Sequence, residues 1–155
     1  MKPMFSITEA ESLMKEALLE AGRALEEDEV PVGCVIADTS AHIIARSRNT
    51  RESSLSIHGH AEINAINSAA AATGSLNLSG LALFVTLEPC PMCAAAIAGS
   101  GIDAVYFGAP AVFPGARPDV IKVLPSSLPY ECYRGIMEKE CGELVSRFFA
   151  KKRKN

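Results

Sequence analysis

The residues of this chain best suited to chemistry are two cysteines, one histidine and one glutamate. Cys90 and Cys93 stand three apart in Thr86-Leu87-Glu88-Pro89-Cys90-Pro91-Met92-Cys93, between the apolar run 81–85 and the small-residue run 94–98. That succession predicts a strand, a tight turn and a buried helix. Pro91 fits the first helical turn, where its missing N–H costs nothing, and side chains three apart then leave one face of the helix start. The unpaired N–H groups and positive dipole end there favour thiolate, the form that binds a soft or borderline metal. His60-Ala61-Glu62 opens a second helical run, through Ile63, Ala65, Ile66 and Ala69 to Gly74, and adds an imidazole and a carboxylate. A catalytic zinc takes three protein ligands and keeps a fourth position for water, whereas a structural zinc is closed by four. His60, Cys90 and Cys93 make three, for one Zn2+ per chain. Residues two apart on a regular helix diverge, so His60 is expected in the non-helical approach and Glu62 one step inside. Both side chains can then approach one metal-bound water, and the chemistry implied is hydrolytic.

The remaining elements must bring these segments together. Ser6 or Thr8 can cap a helix whose apolar positions Leu13, Met14, Ala17, Leu18, Ala21 and Leu25 repeat at helical spacing, with Glu9 and Glu11 completing capping boxes. Residues 30–37 form an apolar run of strand length, and after a turn at 38–41 residues 42–47 read as the second arm of a hairpin. The stretch 48–59 has no apolar period and is a loop that delivers the chain to His60. It carries Asn49, Arg51, Glu52 and His58. An asparagine amide suits the edge of a heterocycle, but spacing alone favours a loop Asn that satisfies its own backbone. His58 reads as an ordinary loop histidine rather than an alternative ligand, and Glu88 as a turn or helix-end partner. Residues 104–107 are another strand, and 110–118 a loop. A short helix is expected at 119–124, a second loop at 125–129, an edge strand at 130–134 and a terminal helix at 137–153. Strands alternating with helices after an initial hairpin predict an α/β fold, a three-layer α/β/α domain with a central five-stranded mixed sheet. The site then lies at strand ends between two helix N-termini.

At 155 residues and 48% hydrophobic content, the chain suits one domain, 1–155, with a basic tail at about 150–155. Net charge is −3, of which Lys151, Lys152, Arg153 and Lys154 hold +4, leaving −7 on the remainder. Such a body binds nucleic acid poorly without specificity, so any RNA contact falls to the tail and the loops near the site. The tail equally reads as a solvated helix end. No N-terminal stretch is apolar enough for a signal peptide or membrane span, which predicts a soluble, intracellular protein. Five cysteines, two committed to a metal-type spacing, are no disulfide framework, and a reducing, cytoplasmic compartment follows. Cys34, Cys132 and Cys141 read as structural. A bare Cys-x-x-Cys also suits a redox dithiol or a structural zinc module, but neither gives a reason for His60 and Glu62 at a second helix start.

His60-Ala61-Glu62 and Pro89-Cys90-Pro91-Met92-Cys93 match the His-x-Glu and Pro-Cys-x-x-Cys signature of the zinc deaminases. The chain resembles the cytidine deaminase superfamily, and within it the bacterial tRNA-specific adenosine deaminases, which convert the anticodon wobble adenosine to inosine. Further points of likeness are Glu29-Val30-Pro31-Val32-Gly33, Asn49 eleven residues before His60, Tyr106-Phe107-Gly108-Ala109, and Phe148-Phe149 followed by basic residues. The resemblance implies a cytidine deaminase-like fold and zinc on His60, Cys90 and Cys93, with Glu62 as proton shuttle. It implies Asn49 as the base-contacting residue, with Val32, Ala61 and Phe149 beside the substrate. It also implies a homodimer, a tRNA anticodon stem-loop as partner and no membrane. There are departures. Relatives often carry Asp-Pro-Thr-Ala where this chain has Ser56-Ile57-His58-Gly59, and an Asp or Asn and then a Lys where it has Ala111 and Phe113. An Arg common in the family is absent from Ser100-Gly101-Ile102. These positions face RNA rather than the chemistry, so the alternative substrate is a free nucleobase or nucleoside such as cytosine, guanine or cytidine, with the terminal helix as a lid.

Overall fold

The computed structural model describes residues 3–111 and 128–154. The short helix expected at 119–124 and the departure at Phe113 lie outside the described residues. In chain order the elements are α1 (Ile7–Glu26), β1 (Gly33–Ala37), β2 (Ile43–Arg48), α2 (Ala61–Thr73), β3 (Ala82–Leu87), α3 (Pro91–Ser100), β4 (Ala104–Ala109), β5 (Glu131–Tyr133) and α4 (Glu138–Lys154). They form a five-stranded sheet of order β2-β1-β3-β4-β5. β1 is antiparallel to β2 and β3, and the β3–β4 and β4–β5 pairs are parallel. The expected three-layer architecture with a mixed sheet is the one observed.

Successive strand side chains point to opposite faces, and here both faces are apolar, which requires helices on both sides. Cys34 and Ile36 of β1, Leu83 and Val85 of β3, and Val105 and Phe107 of β4 pack with Ala61, Ala65 and Ala69 of α2 and Ile97 of α3. Val35, Phe84 and Tyr106 pack on the other face with Ala10, Leu13, Met14 and Ala17 of α1 and Cys141 of α4. On that face Phe84, Tyr106 and Tyr133, register neighbours on three adjacent strands, stack with ring centroids 4.5 and 4.6 Å apart. α1 starts in a capping box: Ser6 Oγ accepts the Glu9 N–H at 3.2 Å, and the Glu9 carboxylate accepts the Ser6 N–H at 2.8 Å. Gly33 is dictated by α1, because a Cβ there would collide with the Ala17 carbonyl and the Ala21 nitrogen. Helix backbone therefore rests directly on strand backbone.

Two expectations are corrected. The first strand starts at Gly33, not residue 30, because Pro31 has no N–H to give a ladder and the Val32 N–H turns back to the Val30 carbonyl at 2.8 Å. Cys34 and Cys141 are buried as expected, but Cys132 is exposed, on a three-residue edge strand that covers one side of it only.

Candidate active site

β3 feeds α3 and the 48–59 loop feeds α2, so the two helix starts meet at one end of the sheet. His60 is the N-cap of α2 (φ −82°, ψ 147°) and Cys90 the N-cap of α3 (φ −71°, ψ 167°), followed by Pro91 in the first helical turn. Neither side chain caps its own helix. They turn instead toward each other: His60 Nδ1 lies 3.6 Å from Cys90 Sγ and 3.4 Å from Cys93 Sγ. A tetrahedral zinc with bonds of about 2.3 Å to sulfur and 2.0 Å to nitrogen has N···S edges of about 3.5 Å. Both nitrogen–sulfur separations have that length, and all three donor atoms lie within 4.8 Å of one another. Among the described residues this is the one group of three or more His, Cys, Asp or Glu so placed.

The electrostatics of the cluster suit a cation. The Cys93 thiol hydrogen bond, outweighing burial and aided by His60, holds the Cys90 thiol down at about 4, so it is a thiolate at neutral pH. Cys93 is pushed up by that same hydrogen bond to Cys90, and then by burial, and keeps its proton until a metal displaces it. His60 is raised by its bond to Cys90 against its partial burial, while the charge of Arg51 pulls it back down. Glu62, one step inside α2 and 4% exposed, is pushed up to about 7 by burial, the range in which a carboxyl can both take and give a proton.

His60, Glu62 and Cys90 open onto a cavity of about 220 Å³. Of the residues expected beside the substrate, Val32, Asn49 and Phe149 line it. Ala61 does not: its methyl is fully buried in the α2–sheet core, as the first helical residue turned toward the sheet. Asn49 is 7% exposed, and its backbone N–H bonds the Val32 carbonyl at 3.1 Å. Asn64 of α2 brackets it, donating from Nδ2 to the Arg48 carbonyl at 2.9 Å and to Thr50 Oγ1 at 3.0 Å. Asn49 thus borders the cavity while its main chain is tied into the loop. His58 is exposed and outside the donor cluster, as expected of an ordinary loop histidine. Glu88 accepts the Ala111 N–H at 3.1 Å, a turn partner as expected, and also borders the cavity. Sequence reasoning missed Val30, Arg51, Leu87 and Ala111 as lining residues. For Arg51 the one signal was a cation two residues beyond Asn49.

Residues 7–109 match the family model for the cytidine and deoxycytidylate deaminase zinc-binding region. The chain is 40% identical over 151 residues to the tRNA-specific adenosine deaminase of Bacillus subtilis (strain 168), covering 96% of this chain and 93% of that protein. With the tRNA-specific adenosine deaminase of Rickettsia felis it shares 41% over 140 residues, covering 88% and 97%. Among solved structures it superposes with TM-score 0.76 on a tRNA:A34 deaminase at 38% identity, covering 86% of this chain and 98% of that one. A guanine deaminase from Nitrosomonas europaea, at 21% identity with TM-score 0.78 and coverage of 90% and 84%, shares the fold. Fold, donor set and family model together define a zinc-dependent hydrolytic deaminase of the cytidine deaminase type. The relatives carry the assignment one step further: the chain belongs to the tRNA-specific adenosine deaminase family.

Proposed function

We propose that this protein converts adenosine to inosine at the wobble position of a tRNA anticodon. The observation that carries the reading is the near full-length similarity to tRNA-specific adenosine deaminases, 40% identity across 96% of the chain. The cavity, about 220 Å³, admits one base and not a stacked strand, so the target nucleotide leaves its stack to react. That step costs little in an anticodon loop, where bases are single-stranded. His60, Cys90 and Cys93 hold the zinc, which when bound supplies the Lewis acidity that makes water nucleophilic near neutral pH. Glu62 accepts one proton of the attacking water and passes it to a ring nitrogen as the amine-bearing carbon becomes tetrahedral, then takes the proton of the new hydroxyl and delivers it to the amine, which leaves as ammonia while the carbonyl forms. Asn49 offers donor and acceptor to the purine edge, while Val30, Val32, Leu87 and Phe149 supply apolar walls that exclude water.

The basic end of α4 is tied near the site by Lys152 Nζ on Asp28 Oδ2 at 2.8 Å, leaving Lys151, Arg153 and Lys154 exposed for phosphates. We further infer a homodimer through the α2–α3 layer. α3 carries no charged side chain, its Ala95 and Gly99 are exposed, and Leu55 and Ile57, on the loop before α2, are 92% and 72% exposed. Five free cysteines agree with a cytoplasmic location. No helix among the described residues is long and apolar enough to cross a membrane.

Incubating the zinc-loaded protein with an arginine tRNA anticodon stem-loop and sequencing for inosine tests the reading. Inosine at the wobble position is expected; ammonia release from guanine or cytosine with no inosine in the RNA would replace it by the free-base alternative. Light scattering checks the dimer, and a monomer at micromolar concentration would contradict it.

A further inference from the structure

Apart from His60, Arg51 is the one cationic side chain on the wall of the reaction cavity among the described residues. Beyond its pull on His60, deamination of a neutral base gives it nothing to do. The chain nevertheless holds it there firmly. The Thr50 N–H bonds the Gly59 carbonyl at 2.8 Å, and the Arg51 carbonyl accepts the Ser56 N–H at 3.1 Å. The next two N–H groups, of Glu52 and Ser53, are taken by the buried Glu29 carboxylate at 2.9 and 2.7 Å. Gly59 lies so close that a Cβ on it would stand 2.9 Å from both the Arg51 Cα and N. The backbone of Arg51 is thus fixed from three sides, while its side chain, 52% exposed, spans cavity edge and solvent. Its acidic neighbour Glu52 Oε1, at 2.8 Å, is 69% exposed, an adjacent surface pair that contributes little and yields readily to a better anion. A planar guanidinium with five donors matches a phosphate far better than a base edge.

We infer that Arg51 is a specificity-determining residue that contacts a phosphate of the substrate as the target base enters the cavity. It thereby selects phosphorylated nucleotides, and RNA in particular, over free bases and nucleosides. The inference rests on the adenosine deaminase reading above and names the contact that makes the substrate a nucleotide. The phosphate is either the target nucleotide's own or that of its neighbour in the strand.

Full-length zinc-loaded protein and its Arg51→Gln and Arg51→Lys variants are assayed on an anticodon stem-loop, on adenosine 5′-monophosphate and on adenosine. Zinc content and Tm serve as controls for folding. Arg51→Gln is expected to raise KM for the stem-loop about tenfold with kcat nearly constant, and to reduce the log–log salt dependence of kcat/KM by about 0.7. The loss on the stem-loop should exceed that on adenosine severalfold, and Arg51→Lys should recover the salt slope but not the full affinity, since it keeps charge without the fork. A matching loss on adenosine 5′-monophosphate assigns the target nucleotide's own phosphate; a loss on the stem-loop alone assigns the neighbour's. Equal losses on stem-loop and adenosine, or an unchanged KM and salt slope, overturn the inference. Wild-type protein that makes no inosine in the stem-loop would overturn the underlying reading instead.

Discussion

Glu62→Gln separates what the proton shuttle does for catalysis from what it does to the fold. Glutamine keeps the shape of the side chain and removes the ionisation. The Glu62 carboxyl, 4% exposed and ordinarily titrating at 4.5, is pushed up to about 7 chiefly by burial. At about 1.4 kcal/mol for each tenfold change in the acid constant, ionised Glu62 costs the zinc-free fold about 3 kcal/mol. The sign follows from a folded-state value above the unfolded one. Below about pH 4.5 both states are protonated and the cost is absent; it grows between 4.5 and 7 and is complete above 7. Zinc-free Glu62→Gln is therefore expected to match the wild type at pH 4 and to exceed it by about 3 kcal/mol at pH 8, read from urea unfolding in chelator with equal m-values. Loaded with zinc, the same variant should keep its metal and lose about 10² to 10⁴ in turnover. A variant no more stable than wild type at pH 8 would show that burial does not hold this carboxyl up, and one within tenfold of wild-type turnover that Glu62 does not carry the protons.

Three further outcomes are expected. Cys93→Ala should lose zinc and activity together while the far-UV circular dichroism stays native, and an active variant with one metal per chain would exclude Cys93 as a ligand. Asn64→Leu removes both bonds that bracket Asn49, so KM for the stem-loop should rise about tenfold with little change in kcat, and an unchanged KM would deny Asn64 its positioning role. Burial would raise the Glu29 carboxyl, but the Glu52 and Ser53 N–H groups override it and hold the value below the usual range. That stabilisation is present above the unfolded carboxylate value and lost as pH falls through the folded one, so Glu29→Gln should be less stable at pH 7 and converge on wild type in acid; a deficit constant with pH contradicts this.

What the sequence disclosed was local. A proline after Cys90 and an i, i+3 cysteine pair set a helix start whatever the rest of the fold does, and a histidine two residues before a glutamate sets another. Meeting of the two starts could be inferred because the chemistry needed it. The misreadings concern what longer-range packing decides. β1 begins late because Pro31 and the Val32 N–H leave no ladder partner. Arg51 reaches the cavity only because Glu29, more than twenty residues earlier, captures the loop backbone and Gly59 lets it close. The place of Phe149 depends on how α4 seats on β4, where Gly108 leaves room for Cys141, and it came from resemblance rather than from spacing.

The proposed chemistry requires an open three-ligand metal site. X-ray absorption at the zinc edge of the purified protein measures it directly. One zinc per chain, with two sulfurs at about 2.3 Å and two nitrogen or oxygen neighbours at about 2.0 Å, is the expected result; four sulfur ligands, or protein that takes up no zinc, would contradict it.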